Sequence, residues 1–300
     1  MDLFHLNLED LQKVTNCTNC NSSKTFCIKL NQIAVDSLRY SLYECLDCGF
    51  WFSPKKDGEA INYESYDETL SLRDESYIAE RYIQKLRNFD FNNFKSIVEI
   101  GCAQGHVLSL LKKSYSHLRL GGVELNSNMC SLSRDKGIDC YTDYTSHEQR
   151  FDVIMANHVI EHFDHSSQFI ELFQSLGQAN HYLILNFPNK ENVWTKRGFY
   201  PDLHLPFHRF YYSIAEISTI LENNGYLIKS STTSEQNRYF ENMKQARYNH
   251  YRGDIESFKG LAPRFQDVDE KYSTQNLSKV ETHIDSLNLG SEAMIIAVKL

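Results

Sequence analysis

Residues 97–105 read Ile-Val-Glu-Ile-Gly-Cys-Ala-Gln-Gly, and this stretch decides the fold class. The apolar sequence up to Ile100 predicts a strand, the glycines predict a turn, and an apolar helical pattern begins at Val107. A strand, a glycine turn and a helix in succession are typical of the nucleotide-binding unit of an open α/β sheet. Gly101 and Gly105 are four residues apart. This spacing excludes the G-x-G-x-x-G fingerprint of NAD-binding domains.

An acidic residue ends the next predicted strand. Residues 119–124 (RLGGVE) form that strand, and Glu124 stands about 20 residues beyond the turn. In an open parallel sheet this position lies beside the ribose of a bound nucleotide. A carboxylate accepts hydrogen bonds from both ribose hydroxyls, and such charge-assisted bonds are strong. Together, the turn and Glu124 predict a ligand that contains a nucleoside.

The turn reads Glu99-x-Gly101-x-Ala103-x-Gly105. It resembles the acidic-x-Gly-x-Gly-x-Gly motif of the class I S-adenosylmethionine-dependent methyltransferases. Ala103 takes the place of the middle glycine, and it adds one methyl group where the cofactor passes close to the backbone.

Two later stretches extend the resemblance, which covers roughly residues 92–234 and the last ten. Residues 151–163 (FDVIMANHVIEHF) are similar to the fourth motif of the family, and residues 181–189 (HYLILNFPN) to its next strand. The resemblance implies an α/β fold. Its Rossmann-like methyltransferase core would have seven strands, mostly parallel, with the last strand antiparallel.

The resemblance also implies the residues that bind S-adenosylmethionine. The turn would hold the methionine and ribose portions, Glu124 the ribose, Asp143 the adenine and Asn157 the methionyl group. The expected cofactor-binding residues are Glu99, Gly101, Ala103, Gly105, Glu124, Asp143 and Asn157.

The segment at 201–210 (PDLHLPFHRF) is the candidate for acid–base chemistry. Related methyltransferases carry a histidine–aromatic stretch at this place. An imidazole with an ordinary pKa of about 6.5 can take a proton from a hydroxyl or an acidic carbon. His208 matches the family position more closely and His204 comes second, so both are catalytic candidates. The alternative is that His208 packs against and caps the following helix.

Residues 158–162 (HVIEH) match the H-x-x-E-H pattern of inverted zinc proteases. That pattern requires both histidines on one face of a continuous helix. Here an apolar strand precedes His158, so the chain turns at this residue. We therefore expect no protease-type zinc site in this pentapeptide.

Four of the eight cysteines form two Cys-x-x-Cys pairs, Cys17/Cys20 and Cys45/Cys48, with 24 residues between the pairs. In a cytosolic chain such pairs are typical of zinc sites. Two thiolates from each loop complete a tetrahedron and leave no open position for catalysis. Gly49 permits a left-handed turn that aims backbone N–H groups at sulfur. We predict a structural Zn²⁺ in a small ribbon.

The chain is expected to divide into a zinc ribbon at 1–56, a linker and helix at 57–91, and the methyltransferase core at 92–300. A partly helical insert interrupts the core at 235–290. Insertions of this length usually form a lid, a substrate wall or an oligomer contact. A homodimer is therefore one of the expected arrangements.

Composition restricts the partners and the compartment. The net charge is −8 and residues 1–56 carry six basic and six acidic side chains, which argues against nucleic acid. The sequence has neither a membrane-spanning apolar run nor a signal-peptide pattern, so a cytoplasmic protein without a membrane partner is expected.

The predicted function is methyl transfer from S-adenosylmethionine to an O, N or C nucleophile of a small molecule, such as a sugar or another biosynthetic intermediate. One alternative is an RNA methyltransferase that docks through the ribbon. The other is a catalytically inactive binding protein with this fold.

Overall fold

The computed structural model describes residues 15–33, 39–55, 76–144, 150–193, 195–197, 204–235 and 284–300. The strands are β1 (Thr25–Ile33), β2 (Arg39–Cys45), β3 (Trp51–Phe52), β4 (Ser96–Ile100), β5 (Arg119–Val123), β6 (Asp139–Tyr141), β7 (Phe151–Asn157), β8 (Gly177–Pro188), β9 (Phe210–Tyr211), β10 (Tyr226–Ser234) and β11 (Glu292–Lys299). The α-helices are α1 (Ser76–Lys85), α2 (His106–Ser114), α3 (Ser127–Asp135), α4 (Ser166–Leu176) and α5 (Ile214–Asn223). Short 3-10 turns lie at Phe91–Asn93, Ile160–His162 and Thr195–Arg197.

Seven strands form the main sheet, in the order β10-β11-β8-β7-β4-β5-β6. From β8 to β6 all neighbouring strands are parallel. The last strand, β11, runs antiparallel to both β8 and β10. The predicted seven-stranded core with an antiparallel last strand is therefore confirmed.

The interior strand β4 is buried along its whole length. A parallel strand covered on both faces reads as a continuous apolar run, and this explains the Ile-Val-x-Ile sequence. Glu99 is the charged exception, and only 3% of its surface is exposed. The carboxyl ends of β4, β5 and β7 meet at one edge of the sheet, which is where open α/β folds bind their ligands.

A smaller antiparallel sheet lies at the N-terminal side, in the order β1-β2-β3-β9. Its fourth strand comes from the methyltransferase core, because Trp51 pairs with Tyr211 and Phe52 with Phe210. The N–H of Ser53 also donates to the carbonyl of Arg209 at 2.9 Å. The ribbon is thus joined to the core by a shared strand ladder.

The ribbon and the core also share one apolar cluster. Phe50 packs edge-on against Tyr212, with ring centroids 5.3 Å apart, and Tyr212 packs edge-on against Phe169 of α4. Phe52 is fully buried in the same cluster. Burial of such aromatic rings is a large stabilising term, so the two sheets hold each other in place.

The structure describes only the two ends of the predicted insert at 235–290. The carboxylate of Glu235 accepts hydrogen bonds from the N–H and the hydroxyl of Ser291, at 3.1 and 3.2 Å. The insert therefore leaves and rejoins the sheet at neighbouring positions. Its role stays a prediction. In the described ranges no helix is both long enough and apolar enough to cross a membrane.

Replacing Phe52 by alanine is expected to lower the free energy of unfolding by about 3 kcal/mol, because it leaves a cavity between the two sheets. Denaturant-induced unfolding of the purified protein measures this change. The matched control is Phe26→Ala on β1, since Phe26 is 61% exposed. The control should stay within about 0.5 kcal/mol of the wild type. Equal losses for the two variants would contradict a shared core.

Candidate functional site

The glycine turn after β4 is held in left-handed backbone conformations. The φ angles of Gly101, Ala103 and Gly105 are 66°, 46° and 72°. A Cβ at Gly101 would lie 2.6 Å from Cγ2 of Val159, and one at Gly105 would lie 2.4 Å from Oγ of Ser133. Both glycines are therefore required by packing as well as by φ. Ala103 adopts a conformation that favours glycine, at the position where the resembled motif has one.

Glu124, which directly follows β5, is hydrogen-bonded to this turn. One carboxylate oxygen accepts a hydrogen bond from the N–H of Ala103 at 2.9 Å, and the other accepts from the N–H of Asn126 at 2.9 Å. The carboxylate therefore lies beside the turn, as the sequence predicts. A carboxylate has about four acceptor positions, so one carboxylate can accept from backbone N–H groups and from ribose hydroxyls together.

Two polar side chains are buried beneath the turn without a hydrogen-bond partner among the described residues. They are Oε2 of Glu99 and the hydroxyl of Tyr82 on α1. Burial, together with the nearby charge of Glu124, raises the pKa of Glu99 well above its usual range. Burial and the charge of Glu99 likewise raise the pKa of Tyr82. Native proteins rarely leave such groups unsatisfied, so this pair fits the polar end of a bound ligand.

The end of β7 presents Asn157 and His158. The side chain of Asn157 accepts a hydrogen bond from the amide of Asn186 at 2.7 Å. His158 has a φ of 55°, so the chain turns here. Its ring lies between two carboxylates, with Nδ1 3.3 Å from Glu161 and Nε2 3.0 Å from Glu292. Burial disfavours the charged ring, but the two carboxylates outweigh it and raise the pKa of His158 to about 10.

The segment after His158 forms a 3-10 turn at Ile160–His162 rather than a continuation of a longer helix. The geometry of an inverted zinc protease is therefore absent here, as expected. Instead, the turn brings Glu161 and His162 against His208, which arrives from a distant part of the chain. One potential metal-ligand atom from each of these residues lies within 4.8 Å of the others.

The two catalytic candidates occupy different environments. His208 is 5% exposed, and its Nε2 lies 3.9 Å from a carboxylate oxygen of Glu161. Its ring centroid is 4.9 Å from that of His162 and 5.1 Å from that of His204. His204 is exposed at the edge of this cluster. Residues 201–203 of the predicted segment lie outside the described residues.

The predicted adenine-side acid, Asp143, is partly buried just after β6, next to the β5 end that carries Glu124. The role of Asp143 at the adenine end stays a prediction. Sequence reasoning missed Tyr82, Glu292 and Lys85 as parts of this region. Lys85 on α1 forms a short ion pair with Glu292 on β11. The only sequence signal for Tyr82 was its position on the apolar face of a helix.

The four cysteines of the ribbon converge. Sγ of Cys17 lies 3.7 Å from that of Cys48, and Sγ of Cys20 lies 3.5 Å from that of Cys45. Thiolates 2.3 Å from a tetrahedral Zn²⁺ would be about 3.8 Å apart, so this set fits the metal. Gly49 adopts the expected left-handed turn, with φ of 78°.

Comparison with known proteins agrees with the observed fold and with the resemblance of the glycine turn. The family described as a methyltransferase domain matches residues 72–231, more than half of the chain. A malonyl-[acyl-carrier protein] O-methyltransferase from Priestia megaterium is 26% identical over 141 residues, which are 44% of this chain and 50% of that protein. The chain thus matches about half the length of this curated relative.

A crystal structure of a SAM dependent methyltransferase from Archaeoglobus fulgidus superimposes with a TM-score of 0.50 at 19% identity. The match covers 80% of this chain and 100% of that one. This likeness shows the fold. The strand order, the glycine turn with its acidic partner and the family match agree, and the chain, which carries an N-terminal four-cysteine ribbon, belongs to the methyltransferase domain family.

Proposed function

We propose that this protein transfers the methyl group of S-adenosylmethionine to a small-molecule acceptor. The observation that carries the proposal is the Glu124 carboxylate hydrogen-bonded to the glycine turn, at the edge of the sheet where such folds bind ligands. The unpartnered polar atoms of Glu99 and Tyr82 add a buried polar end to the same region.

When bound, S-adenosylmethionine supplies an electrophilic methyl group on a sulfonium. The chain's own residues bind and orient the two reactants. Glu124 accepts from the ribose hydroxyls, and Gly101 and Gly105 let the backbone approach closely. Glu99 lies at the methionine end, and Asp143 at the adenine end. Because the methyl group is already activated, positioning of the acceptor and exclusion of water supply most of the rate enhancement.

Two further residues, Ala103 and Asn157, belong to the proposed cofactor site. Ala103 contributes its backbone to the turn, and Asn157 faces the methionyl group. His208 and His204 are the proposed catalytic side chains on the acceptor side. What supports this is the position of His208 beside Glu161 and of His204 beside His208, in the segment that follows β8 and precedes α5.

The acceptor is proposed to be a biosynthetic intermediate rather than RNA. The net charge of −8 and the absence of a basic excess in the ribbon give phosphates little to bind. The Priestia megaterium relative is by name an O-methyltransferase of a carrier-bound malonyl group. An oxygen acceptor is therefore the first to test, ahead of nitrogen and carbon.

The ribbon is proposed to hold one structural Zn²⁺ through Cys17, Cys20, Cys45 and Cys48. The closely spaced sulfur atoms support this assignment. Thiols persist as metal ligands in a reducing compartment, so a cytoplasmic location is proposed with it.

Replacing Glu124 by glutamine should weaken binding of S-adenosylhomocysteine by about 10- to 100-fold, because hydrogen bonds to a charged group contribute about 1.5–3 kcal/mol each. Isothermal calorimetry measures the affinity. The matched control is Glu222→Gln, an exposed carboxylate on α5 that should bind as the wild type does. An unchanged affinity for Glu124→Gln would remove the ribose role of this residue. Absence of binding to the wild type would remove the proposed function.

The acceptor class is tested with methyl-labelled S-adenosylmethionine and cell extract split into a low-mass fraction and an RNA fraction. Label is expected in the low-mass fraction only, because the protein carries no basic surface excess for RNA. Label confined to RNA would establish the alternative function. Cofactor binding without label in any fraction would favour an inactive binding protein.

Replacing Cys45 by serine should remove one equivalent of zinc per chain and lower the melting temperature, since a tetrahedral site with three thiolates is incomplete. Metal analysis after dialysis and thermal unfolding measure the two effects. Cys27→Ser is the matched control, because Cys27 lies on β1 outside the four-cysteine cluster. If Cys45→Ser keeps the zinc content of the wild type, the ribbon does not hold the metal.

A further inference from the structure

We infer that Glu161, His162 and His208 form a second metal site, for a divalent first-row transition metal. One potential ligand atom from each residue lies within 4.8 Å of the other two. The site differs from the protease pattern considered in the sequence, because His208 comes from far along the chain and His158 is not a ligand. The use assigned to the site rests on the proposed function, whereas its existence does not.

The carboxylate of Glu161 points to a missing cation. Glu161 is 1% exposed, and neither of its oxygens has a hydrogen-bond partner among the described residues. The nearest cationic groups are Nδ1 of His158 at 3.3 Å and Nε2 of His208 at 3.9 Å. These ion-pair contacts involve one oxygen, Oε1, whereas Oε2 is buried without a partner among the described residues. A buried carboxylate oxygen without a partner points to an unseen group.

His162 is oriented as a metal ligand would be. Its Nδ1 lies 3.1 Å from the carbonyl of Phe207, and a carbonyl can only accept, so Nδ1 is the donor. The neutral ring then has its lone pair on Nε2. A backbone carbonyl that fixes the tautomer in this way is the usual outer partner of a metal-bound histidine.

The carboxylate ligand also has outer partners. His158 lies between Glu161 and Glu292, and Glu292 forms an ion pair with Lys85 of α1. Ligating carboxylates are normally held by such second contacts. The chain Lys85–Glu292–His158–Glu161 therefore connects the site to α1 and β11, and it fixes the orientation of the carboxylate.

The ligand set indicates the metal and its use. Two imidazoles and one carboxylate suit Zn²⁺, Mn²⁺, Fe²⁺ or Co²⁺, and three protein ligands leave open coordination positions. A closed four-thiolate site, by contrast, has no open coordination position. An acceptor hydroxyl or carboxylate bound at an open position would be oriented, and a hydroxyl would lose its proton more readily. His204 would take that proton, because His208 would be a ligand. The inference therefore narrows the acceptor to an oxygen nucleophile.

Titration of the full-length protein with Mn²⁺, after reconstitution with a single equivalent of Zn²⁺ per chain, tests the site when the unbound Mn²⁺ is followed by electron paramagnetic resonance. Thiolates retain zinc in preference to Mn²⁺, so the ribbon does not contribute to the signal. The wild type is expected to bind one Mn²⁺ per chain. Glu161→Gln and His208→Gln should each weaken Mn²⁺ binding at least tenfold, because each removes a ligand.

The control variant is His181→Gln, a buried histidine bonded to Tyr226 and remote from the cluster, which should bind Mn²⁺ as the wild type does. Calorimetry with S-adenosylhomocysteine on the same samples reports folding and the proposed function separately. Retained cofactor binding with weakened Mn²⁺ binding in both ligand variants supports the site. A wild type that binds no Mn²⁺, or ligand variants that bind it unchanged, overturns the inference. Loss of cofactor binding in the wild type would defeat the proposed function and leave the Mn²⁺ result to stand alone.

Discussion

The hydrogen bond from the Ala103 N–H to the Glu124 carboxylate connects the ends of the neighbouring strands β4 and β5. The turn that it holds is in left-handed conformations, and its glycines pack against Val159 and Ser133 without room for a side chain. The same carboxylate accepts the N–H of Asn126, the N-cap of α3. One side chain therefore sets the turn, the start of a helix and the proposed ribose position.

The residues proposed to act on the acceptor lie on short segments, one of which directly follows the buried strand β7. β7 ends where His158 begins, and the 3-10 turn after it carries Glu161 and His162. His208 arrives by a separate route, just before β9. Rigid strands fix where these segments start, and buried polar contacts fix where they end. The site is thus precise although little of it lies in regular structure.

The fold could be predicted from the sequence because its signals are local. The apolar run before Gly101 and the capping box that Ser213 and Glu216 form at the start of α5 each act within a few residues, and the strand and the helix form where these patterns occur. The convergence of the four cysteines was equally predictable, since two Cys-x-x-Cys pairs are typical of a single metal site. Side-chain placement of the individual cofactor residues toward a ligand remains a prediction.

The histidine cluster and the sheet contact of β9 could not be predicted in this way. β9 has two residues, too few for any periodic pattern, and it pairs with β3 across more than half the chain. The Glu161–His208 approach and the Lys85–Glu292–His158 contacts likewise join distant segments. Such contacts depend on tertiary packing. The residues that meet are far apart in the sequence, and no local periodic pattern indicates which of them will be in contact.

The strand pairing between the ribbon and β9 couples two regions that differ in chemistry. Ser53 of the ribbon bonds to the carbonyl of Arg209, the residue that follows His208. Displacement of the ribbon therefore moves the backbone on which His208 stands. By thermodynamic linkage, if a metal bound in the ribbon shifts this backbone, a ligand that contacts His208 changes the affinity of the ribbon for that metal by the same free energy.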